Sequence, residues 1–125
     1  MPATREKFYR IVVGDVGIYE AVFRDCPKDD PRRAHKPDGG WLPRVGEDYP
    51  GAISFWSEFG LRKYHDSGLL DWHVSVVRGV VEVVMVTRPM AVVYEDEYQI
   101  ICMPDALKEV GRISINDFRN QILST

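Results

Sequence analysis

The window from Pro27 to Gly51 most narrows what this chain can fold into. It carries five prolines (Pro27, Pro31, Pro37, Pro43, Pro50) and four glycines (Gly39, Gly40, Gly46, Gly51). Proline fixes φ and has no N–H to donate, so this density blocks both a helix interior and a central strand. Irregular connections longer than about 12–15 residues are uncommon in compact domains and usually form lids, binding loops or disordered segments. The first part of the window, Lys28 to Lys36, mixes Arg32, Arg33, His35 and Lys36 with Asp29 and Asp30. The second part brings Trp41, Leu42 and Tyr49, apolar groups that ordinarily seek a core. We therefore expect a mobile tip near residues 28–40 and a docked return from Trp41 onward. The whole 27–51 loop then acts as a lid or a contact surface.

The remainder of the 125 residues fits one domain, 1–125, because about 100–150 residues is the commonest domain size. Such a chain buries roughly two-thirds of its unfolded surface, enough for a single core. A net charge of −3 argues against general duplex nucleic-acid binding, which needs a basic face. Met1 to Lys7 has no apolar stretch behind it, so no secretory signal is expected. Nor does any segment reach the roughly 18 apolar residues of a membrane span. Cys26 and Cys102 lie far apart and read as reduced thiols of a cytoplasmic protein. His35, His65 and His73 lack metal-ligand spacing, and no metal site is expected.

Residues 8–13, β-branched and aromatic, predict a strand ended by the Gly14-Asp15 turn. Ile18, Ala21, Val22 and Asp25 recur at helical spacing, and Pro27 stops that helix. A second strand, Ala52 to Trp56, is followed by Ser57 as the N-cap of a helix running through Leu61, Tyr64 and His65, with a pause at Ser67-Gly68. For residues 69–77 a helical stripe (Leu69, Trp72, His73, Val76) competes with a valine run, and periodicity leaves both open. Val80 to Thr87 predicts a strand, and residues 90–94 and 97–102 flank a turn at Glu95-Asp96. A short helix is expected from Pro104 with Gly111 as its C-cap. Ser114 and Asp117 form an acidic capping box for a last helix with Ile115, Phe118 and Ile122 inward. These elements make an α+β domain with a mixed or antiparallel sheet, short helices and one long Pro/Gly-rich loop.

Three segments carry candidate chemistry. Arg10 stands inside an otherwise apolar strand, and burying an unpaired guanidinium is costly. It either points to solvent or receives a phosphate or carboxylate in its planar fork. Ser54-Phe55-Trp56-Ser57 joins two hydroxyls to two aromatics at a strand-to-helix junction, suited to hold a flat ring or to fill the core and cap a helix. Glu95-Asp96-Glu97 precedes the Tyr98-Gln99 pair, and a carboxylate there stabilises a cationic transition state, binds ribose hydroxyls or simply decorates a turn. Elsewhere, Asp71, His73 and Ser75 do not meet on one helix face, and His73 reads as a satisfied surface histidine. Gly14-Asp15-Val16-Gly17 is too short and acidic for a phosphate-binding glycine loop.

Together the three segments resemble the ADP-ribosyltransferase-like pattern. That pattern has an arginine on an early strand, a serine-aromatic strand end, and an acidic pair opening a late apolar strand that ends in proline. Here these are Arg10, Ser54 to Trp56, and Glu97-Tyr98-Gln99 before Ile100 to Pro104. The resemblance implies a split β core holding NAD in a cleft. Arg10 would bind its phosphates, Ser54, Trp56 and Gln99 would support the rest of the cofactor, and Glu97 would serve as the catalytic carboxylate. Gln99 stands where the pattern ends in glutamate. The wording of the chain is also similar to that of small bacterial and phage proteins. The contrasting expectation is a non-enzymatic module that binds a protein partner through Trp41, Leu42 and Tyr49.

Overall fold

A computed structural model describes residues 7–37, 48–104 and 109–123. Strand β1 (Lys7–Val13) turns at Gly14, whose φ of +63° suits glycine, into the two-residue β2 (Val16–Gly17). Helix α1 (Ile18–Asp25) follows, then a 3-10 turn (Pro31–His35), β3 (Ile53–Trp56), α2 (Glu58–Asp66) and α3 (Leu69–Val76). The chain continues through β4 (Val81–Thr87), β5 (Val92–Glu95), β6 (Gln99–Cys102), β7 (Glu109–Ser114) and α4 (Ile115–Phe118). The helical stripe wins over the valine run at Leu69–Val76, where Leu69, Leu70, His73 and Val76 are buried on one helix face, and Gly68, in the left-handed region at φ +83°, separates α2 from α3.

The strands form one sheet in the order β5-β6-β3-β1-β4-β7, with β2 added to β1. Every pairing is antiparallel. The protein is thus a compact α+β fold. Alternation along the strands sorts the side chains into two cores. Tyr9, Ile11, Val13, Trp56, Val81 and Val83 face the helices and meet Ala21, Leu61, Tyr64, Leu70 and Phe118. Phe8, Val12, Phe55, Val84, Val86, Ile100 and Cys102 form a second cluster on the opposite face.

The sheet is split beside β1. Along one edge, β4 pairs with all seven residues of β1. On the other edge, β3 meets β1 at a single register pair, Tyr9 with Trp56, and β2 pairs further on at Val12 and Val13. Arg10 and Ile11 lie between these two contacts.

Two expectations change here. Gly111 lies inside β7, opposite Met85, rather than at a helix C-cap. The Met85 methyl occupies the space where a Cβ would go, 2.7 Å away, so this glycine serves close packing across a sheet. Residues 105–108 of the expected helix lie outside the described residues, as does the Ile122 side chain. The start of the proline-rich window is also anchored rather than loose. Asp30 caps the turn by accepting from the Arg32 N–H at 2.9 Å, while Arg32 donates to the Asp25 carbonyl at 2.9 Å. Arg33 donates to the Cys26 carbonyl at 2.6 Å, and its guanidinium lies 5.5 Å from the Phe23 ring and 5.7 Å from that of Trp72. Cations expected in a mobile tip therefore bind the window back onto α1 and α3. Trp41 and Leu42 lie outside the described residues. Tyr49 is half-buried, its ring 5.8 Å from that of Tyr94.

Candidate functional site

Arg10 belongs to the same face of β1 as Phe8 and Val12, yet its side chain is only half-buried. Its one hydrogen bond among the described residues runs from Nη1 to the Ser54 carbonyl, a long 3.4 Å. The guanidinium reaches across the split, touching β3 on one side and Gly17 on the other. Burial pulls its pKa below the ordinary arginine value, against the opposing influence of Glu20 and Cys102. Arginine nevertheless keeps its proton at neutral pH. The result is a cation with five donors, set in a partly dry gap, with one weak acceptor. Its remaining donors are open to solvent, and an anion that replaces that water gains charge-assisted bonds in a partly desolvated place. Burial also pushes the Cys102 thiol up, with Arg10 acting the other way.

The remaining candidate residues sit elsewhere. Ser54 alternates with Ile53 and Phe55, so its side chain belongs to the helix-facing side and only its carbonyl meets Arg10. Trp56 is a core residue, its ring 4.8 Å from Tyr64 and nearly parallel to it. Gln99 pairs with Trp56 on that same face, 4% exposed, with its Nε2 lacking a hydrogen-bond partner among the described residues. Glu97 is exposed at the turn before β6, where its carbonyl accepts from the Ser57 hydroxyl at 2.7 Å. The strands β1, β3 and β6 are neighbours, but the side chains of Arg10 and of Ser54, Trp56 and Gln99 are on opposite faces. Alternation at Ile53-Ser54-Phe55 already carried that signal in the sequence.

Asp96 builds the β5–β6 turn by accepting from the Tyr98 and Gln99 N–H groups at 2.8 and 2.9 Å. Ser57 then fastens the turn to α2, since its N–H donates to the Tyr98 carbonyl at 3.0 Å while its Oγ accepts from the Gly60 N–H at 3.0 Å. Ser57→Ala removes both the cap and the hydroxyl bond to Glu97. We expect it to cost about 1–2 kcal/mol in urea unfolding with the m-value unchanged. A loss below about 0.3 kcal/mol would show that this clasp contributes little.

Sequence reasoning missed two neighbours of Arg10. Gly17 and Glu20 approach it because the β1–β2 hairpin folds the start of α1 back over β1. It also misplaced His73, which is 1% exposed and bonded through Nδ1 to the Tyr64 hydroxyl at 2.5 Å. Its place on the stripe with Leu69 and Val76 was the available clue.

Among the described residues no group of three or more His, Cys, Asp or Glu is placed to hold a metal ion, and no helix is long and apolar enough to cross a membrane. Comparison with known proteins finds no matching family model, no matching curated protein and no matching solved structure.

Proposed function

We propose that this domain binds NAD or a related phosphate-bearing nucleotide at the split between β1 and β3, as a binding module rather than a transferase. The observation that carries this reading is the Arg10 guanidinium held across the split with, among the described residues, a single 3.4 Å bond to a carbonyl. A diphosphate supplies the paired oxygens that match a guanidinium fork, and Arg10 is exposed enough to be reached. The resemblance to ADP-ribosyltransferases names NAD as the first ligand to try, since it also gives the early-strand arginine to the phosphates. Transfer is the weaker part of that resemblance. Gln99 offers an amide where a carboxylate is required, and the Ser54 side chain lies across the sheet from Arg10. Buried, unpaired Cys26 and Cys102 fit a reducing, cytoplasmic setting.

Thermal-shift titration tests the binding. A ligand at a hundredfold its dissociation constant stabilises the fold by about 2.7 kcal/mol, a readily measured rise in Tm. Arg10→Ala should weaken binding by roughly 10–100-fold, the worth of a lost charge-assisted hydrogen bond, and Arg10→Lys should recover part of it. A silent wild type at millimolar NAD, or an Arg10→Ala variant that binds normally, would overturn the proposal.

A further inference from the structure

Gly17 has a φ of −67° and a ψ of 155°, an extended conformation open to any residue, so its backbone does not call for glycine. Space does. A Cβ at this position would stand 2.7 Å from Nη2 of Arg10, 3.2 Å from Cζ and 3.6 Å from Nη1. All three nearest atoms belong to one guanidinium, which therefore lies over the bare Cα. Gly17 is also the N-cap of α1 and makes no side-chain cap. Gly68, the N-cap of α3, makes none either, but its φ of +83° calls for glycine. Asp30, Ser57 and Ser114, by contrast, each cap their own helical turns through a side-chain oxygen. Serine or aspartate is the usual choice at such a position. An aspartate there would cap the helix and put a carboxylate beside Arg10 in one step.

We infer that Gly17 is a positioning residue of the nucleotide site, and that its missing side chain keeps Arg10 available to an outside anion. This rests on the reading of Arg10 as the phosphate contact. A side chain at residue 17 either displaces the guanidinium or, if acidic, occupies it as an internal substitute for the ligand. Arg10 is the flexible partner in that contact, so the fold accommodates the change by moving the guanidinium. Binding and stability are thereby set in opposition at a single position.

The experiment compares wild type, Gly17→Ala and Gly17→Asp by thermal shift and calorimetric titration with NAD and with ADP-ribose, which keeps the diphosphate and lacks the nicotinamide. Gly17→Asp should lose binding of both probes by at least about tenfold while its Tm without ligand stays level or rises by a few degrees. Gly17→Ala should fall between it and the wild type, which keeps the test open if the aspartate variant folds poorly. Wild-type binding with full retention in both variants would overturn the role of Gly17 and leave the Arg10 site standing. A wild type that binds neither probe would overturn the site and this role together.

Discussion

Gly60→Ala is expected to lower the unfolding midpoint by roughly 10–15 °C, corresponding to about 3 kcal/mol or more. In an isolated helix the same change would help, because alanine is favoured over glycine by about 1 kcal/mol. The sign reverses here because the first turn of α2 lies directly against the β5–β6 turn. A Cβ on Gly60 would stand 1.8 Å from the Tyr98 carbonyl oxygen and 2.6 Å from its carbon. Both are backbone atoms, and that carbonyl is already fixed by the Ser57 N–H. Relief thus requires the helix to lift or the turn to retreat, which loosens the Ser57 clasp and the Trp56–Gln99 pairing. Differential scanning calorimetry decides it, and an unchanged or raised Tm would show that α2 and the turn are not packed together.

The second large effect is on acid stability. His73 is buried in the main core, shares a hydrogen bond between Nδ1 and the Tyr64 hydroxyl, and packs edge-on to Tyr19 and Trp72. Burial, with smaller contributions from Lys36 and Arg33, lowers its pKa from 6.5 to about 3. Tyr64 is shifted upward by its own burial, so at neutral pH the phenol keeps its proton and the pair is bonded in its neutral form. Because the folded state takes up the His73 proton less readily than the unfolded chain, this contribution is complete above pH 6.5. It is lost as the pH falls from 6.5 towards 3. The loss amounts to about 3 kcal/mol between pH 7 and pH 4. Asp25 and Asp30, each held near 2 by its arginine neighbour, and Glu95, lowered by Arg88, add their own losses from about pH 5 downward. The histidine is therefore isolated by the difference between wild type and a His73 variant that cannot titrate. Urea midpoints between about pH 6.5 and 4.5 should fall steeply for wild type. They should fall much less for His73→Asn, whose amide oxygen can accept from Tyr64 without titrating. Parallel slopes would contradict the assignment.

Much of the fold follows from local pattern. The β-branched runs at residues 8–13 and 53–56, the helical stripe of α1 and the serine caps of α2 and α4 are each encoded within a few residues. Strand order is not, because the pairing of β3 with β6 joins residues more than forty positions apart in sequence. The split beside β1 depends on β2, two residues long and invisible to any period. Arg10 stood out as a charge in an apolar strand, but its surroundings came from Gly17, Glu20 and the Ser54 carbonyl, none of which a motif marks. Gly111 shows the reverse failure, since a glycine after an apparent helix start reads as a cap until Met85 is seen across the strand pair.

The gap between β1 and β3 is proposed as a nucleotide phosphate site centred on Arg10. Amide NMR of the 15N-labelled protein titrated with NAD tests it most directly, because it locates the ligand as well as detecting it. Saturable shifts are expected to cluster at Arg10, Ile11, Gly17, Ile18 and Ser54, and to be lost in Arg10→Ala. Unmoved signals at millimolar NAD, or shifts gathered instead around Phe59 and Tyr98 on the exposed flank of α2, would contradict it.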